Sequence, residues 1–197
     1  YKNRIELVSK MLDKNDIVIN DIDLYNEKQK LIKKNYFSGR IKDGSKITIK
    51  SLESGNMMGL SNTAARSEAL HKCPALLYEN KNPYAFDWYL WSSVLLNAFD
   101  AKFTNKTGIK YCCRSNSLTE LGRPTDLEYA TKVVNLKYEH YSLMKKLDNS
   151  FLNLANDFEK MKSKLSNKIW LKNYISFTNK NSIRNHFWWE NIKSSNI

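Results

Sequence analysis

The 197 residues include 32 Lys and Arg against 20 Asp and Glu, a formal charge of +12, with 42% apolar and 12% aromatic residues. That length fits one compact domain, or a domain with an arm, and the apolar share excludes a wholly disordered chain. The nearest approach to a spanning segment, Trp88 to Phe99, is interrupted by serines and an asparagine and is shorter than the roughly 18 to 20 residues that cross a bilayer.

In chain order, Ile5, Val8, Met11 and Leu12 form one stripe at helical spacing, and Ile22, Tyr25, Leu31 and Ile32 form a second behind Asn20 and Asp21. Both predict helices. Asp43-Gly44 is a turn dipeptide and Lys46 to Lys50 alternates polar with β-branched residues, so a small hairpin is expected near residues 40–50. Ser51 to Ser61, with Gly55, Gly59 and two methionines, predicts an irregular connection. Asn62 to Lys72 predicts a helix closed by Pro74, and Asn82-Pro83 opens another that runs to about Phe103. Tyr84, Phe86, Trp88, Tyr89 and Trp91 lie on more than one face of this helix, the pattern of a central helix. Residues 104–115 read as a loop.

Ser117 with Glu120, and Thr125 with Glu128, are capping-box pairs, and a helix is expected from Asp126. No glycine or proline follows Thr125, and Leu147, Phe151, Leu154, Phe158, Met161 and Leu165 continue at coiled-coil spacing. The upstream stripe of Val134, Tyr138 and Tyr141 meets this seam out of register near Met144, which predicts a bend. Asp148-Asn149-Ser150 and Thr178 to Ser182 are the weakest helical stretches. The expected architecture is therefore mainly α: an α-rich region over residues 1–124 with one small hairpin, then a long helical arm over residues 125–197, straight or folded into a helical hairpin.

The densest candidate interface is at the carboxyl end. Lys160, Lys162, Lys164, Lys168, Lys172, Lys180 and Arg184 interleave with Trp170, Tyr174, Phe177, Phe187, Trp188 and Trp189, and no acidic residue falls between Lys160 and Trp189. Cations neutralise phosphates while exposed rings stack on unpaired bases. This predicts a non-enzymatic, nucleic-acid-associated component, a peripheral subunit of a ribonucleoprotein, with RNA favoured over DNA. Its expected contacts are Lys160, Lys164, Lys168, Lys172, Lys180, Arg184, Trp188 and Trp189. An adaptor whose arm binds another protein is the alternative, and a basic helix lying on an anionic membrane surface is a third reading of the same pattern.

Enzyme signals are sparse. Arg66 followed by His71 resembles the short motif of helical HEPN-type ribonucleases, although Ser67 stands where that motif carries Asn or Asp. The resemblance implies histidine acid–base cleavage of RNA without a metal. Glu79-Asn80-Lys81 is similar to the Glu-x-Lys strand end of metal-dependent nucleases, with Asp43 as the one upstream acidic candidate. His71 and Cys73 make only two metal ligands, so neither metal nor cofactor is expected. Three cysteines, Cys73, Cys112 and Cys113, predict reduced thiols, and with no secretory pattern after Tyr1 the expected setting is a reducing intracellular compartment, cytoplasm or organelle matrix.

Overall fold

The computed structural model describes residues 1–71, 86–97, 99–114, 127–183 and 186–194. Two compact units divide the chain: Tyr1–Glu79 with Asp87–Arg114, and Asn80–Phe86 with Ser115–Ile197. Among the described residues no helix is long and apolar enough to cross a membrane.

The first unit is built on a sheet. Its elements are α1 (Arg4–Leu12), β1 (Ile17–Tyr25), β2 (Leu31–Lys33), β3 (Lys46–Ile47), α2 (Ile49–Leu52), β4 (Thr63–Ala65), α3 (Ser67–His71), α4 (Phe86–Leu96) and β5 (Ala101–Cys112). β1 is the central strand, paired antiparallel with β2 and β4 along one edge and parallel with β5 along the other. β3 adds antiparallel to the far side of β5, which completes a five-stranded mixed sheet.

This α/β arrangement overturns the expected mainly helical fold with one small hairpin. The stripe taken for a second helix is β1 and β2. Ile17, Val18 and Ile19 are β-branched and fully buried on both faces of the strand, which gives the continuous apolar run of an interior strand and not an alternating one. Asp43-Gly44 does turn, with Gly44 at φ 77°, where glycine meets no steric penalty. The strand that follows pairs with Lys102 and Ala101 of β5 and forms no hairpin with a sequence neighbour. The expected loop at 104–115 is largely β5, and the expected helix from Asn62 divides into β4 and the short α3.

The register of β1 and β5 slips once, from Asn20 opposite Thr104 to Asp21 opposite Gly108. Asn105, Lys106 and Thr107 form the resulting bulge, which re-aims the strand. Asp43 holds it, its Oδ1 accepting from Thr104 Oγ1 at 2.9 Å and from Asn105 N at 3.1 Å. Gly108 is required there, because a Cβ would lie 2.9 Å from the Asp21 carbonyl oxygen. α4 is apolar all round, with every residue from Trp88 to Leu95 buried, as expected of a central helix. The Tyr84 position and the Asn82-Pro83 start lie outside the described residues.

The second unit contains α5 (Leu127–Met144), a single 3-10 turn at Asn149–Phe151, α6 (Leu152–Ser163), α7 (Lys168–Asn181) and the short α8 (Trp188–Asn191). No continuous arm forms. α5 stops at Met144, beside the stretch expected to break, and α6 and α7 both pack on α5. α7 ends at Asn181 with Ser182 extended, within the second weak stretch, and a further interruption comes earlier, where the Asn167 side chain accepts from Ile169 N and Trp170 N and starts a new helix. Tyr141 packs against Phe151 and Phe158 with centroids 6.4 and 5.1 Å apart. The expected seam is half realised: Phe151, Phe158 and Met161 are buried, whereas Leu147 is 40% exposed and Ala155 takes a core position.

The end of this unit is tied down by polar groups. Lys137 Nζ, wholly buried, donates to the Ile192 carbonyl at 2.6 Å, and Tyr174 Oη donates to the Lys193 carbonyl at 2.7 Å. Burial pushes the Lys137 ammonium down to about 7, against the nearby Glu190 charge that favours it.

Candidate functional site

The first turn of α4 carries the one described carboxyl in the sheet unit that burial pushes far from its ordinary range. Asp87 Oδ1 accepts from the Trp88 backbone N–H at 2.8 Å, and Trp88 Nε1 donates to the Leu52 carbonyl at 2.8 Å, which fixes the helix start against the end of α2. Burial raises the Asp87 carboxyl to about 6, and the hydrogen bonds from Trp88 and the Asn56 side chain only partly offset it. Desolvation penalises the ionised form, and these donors, with Asp87's own backbone N–H, do not restore it.

The loop facing Asp87 is pinned by side-chain amides. Asn56 Oδ1 accepts from Met58 N at 2.9 Å. Asn62 Nδ2 donates to the Asn20 and Met57 carbonyls at 3.2 and 3.1 Å, and Asn20 N donates to the Asn62 carbonyl at 2.9 Å. Arg4 closes the network, with Nε on Asn20 Oδ1 at 2.8 Å and its terminal nitrogen on the Ser61 carbonyl at 3.0 Å. Gly59 leaves space in the middle: a Cβ there would lie 3.0 Å from Asn62 Oδ1, 3.8 Å from Asp87 Oδ2 and 4.0 Å from Ser61 Oγ. The Asp87 carboxyl, the Asn62 amide oxygen and the Ser61 hydroxyl thus lie within 4.0 Å of the position a Cβ would take at residue 59.

Asp21 and Asp23 on β1 are buried too, and their chemistry is different. The Asp21 carboxylate accepts from the backbone nitrogens of Ile22, Phe37 and Ser38 at 2.8, 2.8 and 3.0 Å, and from the Ser38 hydroxyl. Asp23 accepts from Asn35 N at 2.8 Å and from the Tyr1 hydroxyl at 2.9 Å. That phenol is pushed up to about 12, first by burial and then by Asp23. Alternate residues of a strand share a face, so the pair anchors the 35–38 segment beneath the sheet, a structural role.

The residues singled out from sequence are dispersed. Arg66 precedes α3 and does not lie on it; its guanidinium reaches the Leu12 carbonyl at 3.4 Å and Glu68 at 3.7 Å. His71 is exposed at the end of α3, so the two share no helix face. Cys73 and Glu79-Asn80-Lys81 lie outside the described residues, and Asp43 is engaged at the bulge of β5. Among the described residues no group of three or more His, Cys, Asp or Glu is placed to hold a metal ion.

On the basic tail, Lys160, Lys168, Lys172 and Lys180 are exposed. Lys164 lies over the Trp170 ring at 5.7 Å. Arg184 lies outside the described residues. Trp188 is sealed at 1% exposure with its ring 4.8 Å from that of Tyr129, and Trp189 is half-buried beside Phe187. Asp87, Asn56, Gly59 and Asn62 were not legible as a site in sequence, although an acidic residue opening a helix apolar on every face is a signal of one.

The chain matches no protein-family model, and no curated protein or solved structure matches it.

Proposed function

We propose that the sheet unit is the acid–base part of an enzyme acting on a hydroxyl-bearing substrate, with Asp87 as the general base. The observation that carries this reading is the Asp87 carboxyl, raised to about 6 by burial and lying beside Gly59 with Asn62 Oδ1 and Ser61 Oγ. A base is most effective when its pKa lies near the working pH; a group at about 6 is roughly nine-tenths ionised at neutrality and still basic enough to take a proton. Asn62 Oδ1 has no hydrogen-bond partner among the described residues, and with Ser61 it offers neutral contacts suited to a polyhydroxylated ligand such as a sugar. In the reaction a substrate hydroxyl gives its proton to Asp87 Oδ2 as its oxygen lone pair attacks the electrophilic atom of a glycosyl, acyl or phosphoryl donor; the bond from that atom to its leaving group breaks, and the leaving group departs with the electron pair and is protonated by solvent.

The test is a transfer assay. Simple sugars are incubated with glycosyl, acyl and phosphoryl donors and products are read by mass spectrometry. Turnover is expected to fall at least about a hundredfold in Asp87→Asn, with sugar binding retained. Gly59→Ala is expected to weaken binding by filling the space. Turnover that persists in Asp87→Asn overturns the assignment.

The basic tail belongs to the other unit and is compatible with this chemistry. The expected attachment to RNA keeps its exposed lysines as support but loses Trp188, whose sealed ring offers no face to a base.

A further inference from the structure

α7 carries Lys168, Lys172 and Lys180 and no acidic residue. All three lysines are exposed, and no ion pair among the described residues engages them. Leu171, Tyr174 and Thr178 form the buried side of the helix. At about 100° per residue, the opposite sector holds Lys172, Ser176, Ile169, Lys180 and Asn173, with Phe177 at its edge. Ile169 is 74% exposed and Phe177 44%. Single exposed apolar residues are ordinary, but here two share a cationic, acid-free face about 21 Å long, and Ile183 just beyond the helix is 51% exposed.

The chemistry of these side chains separates the two anionic partners. Nucleic acid gains from rings presented to bases, yet Trp170 is stacked on Tyr174 at 5.3 Å with a 7° interplanar angle and Trp188 is sealed. What α7 presents most openly is an isoleucine, which has no π-face for a base and gains from entering hydrocarbon. Lysines flanking such a residue extend their ammonium groups to lipid phosphates while their stems cover apolar surface. We propose that α7 is a peripheral membrane-docking helix that lies on an anionic lipid surface, inserting Ile169 between headgroups held by Lys172 and Lys180, with Phe177 at the edge of the contact. The inference is independent of the Asp87 chemistry, since it uses only residues of the helical unit.

Co-sedimentation of the full chain with phosphatidylcholine vesicles, with and without phosphatidylserine, and with a single-stranded RNA at the same salt concentration tests it. Binding that requires phosphatidylserine and weakens with added salt is expected. The double variant Lys172→Glu, Lys180→Glu is expected to lower partitioning by about thirtyfold. Ile169→Ser, at an exposed position that cannot disturb the core, is expected to lower it by about tenfold. Three results overturn the proposal: no dependence on phosphatidylserine, Ile169→Ser binding like the parent chain, or capture of the RNA in place of vesicles.

Discussion

The two units of this chain are stabilised by different means. In the helical unit the interior is mostly apolar, with Tyr141, Phe151, Phe158 and Met161 at its centre, and Lys137, which donates to the Ile192 carbonyl, is an exception. In the sheet unit Asn20, Asp21, Asp23 and Asn62 are all buried around the central strand, and most of their polar atoms bond to backbone. Within that unit the carboxylates divide again. Asp21 is surrounded by four donors and stabilises a loop, whereas Asp87 is left short of donors and shifts its protonation instead. A buried acid that is fully solvated by the fold is a structural part; one that is under-solvated is where a reactive role is proposed.

Four substitutions break or sharpen that contrast. Phe158→Ala leaves a cavity in the helical core and is expected to destabilise that unit by about 4 kcal/mol, measured by urea denaturation, with little change in the sheet unit's own transition. Asp21→Asn turns an acceptor of backbone N–H groups into one that also presents a donor to them, and a loss of about 3 kcal/mol is expected.

Asp87→Asn is expected to do the reverse. Its folded-state value, about 6, lies above the ordinary 3.8, so Asp87's contribution to the stability of the parent chain is fully present below about pH 4, is lost as the pH rises to about 6, and is flat above that. Asparagine does not ionise, and the variant is expected to gain up to about 3 kcal/mol at pH 7.5 while losing activity. At pH 3.5 the two proteins are expected to unfold at the same urea concentration. A variant less stable than its parent at pH 7.5 would place Asp87 with Asp21 among the structural acids. Asn167→Ala, which removes the α7 cap, is expected to cost about 1 kcal/mol, read as faster amide exchange in the first turn of α7.

The same contrast explains what could be read from sequence. α1, α5 and α6 are written in local periodicity, and the end of α5 follows from the change of stripe near Met144 together with the weak helix formers at 148–150. The break before α7 was missed because Asn167 sits in a lysine-rich run without a proline or glycine to mark it. The sheet was missed because its central pairing joins Ile17 to Ala101, far apart in the chain, and because Ile22 and Tyr25 fall three apart and mimic a helix face. β5 looked like a loop because the bulge at Asn105 to Thr107 interrupts its alternation. The candidate site was hidden for a related reason: what distinguishes Asp87 is burial supplied by tertiary structure, and Asn56, Gly59 and Asn62 converge on it from a loop that sequence reads only as irregular.

The most direct test is a pH titration of the Asp87 carboxyl carbon by NMR, assigned through the Asp87→Asn variant. A midpoint near pH 6 that shifts when a bound sugar fills the space beside Gly59 is the expected result. A midpoint near 4, unchanged by any ligand, contradicts a reactive role for this acid.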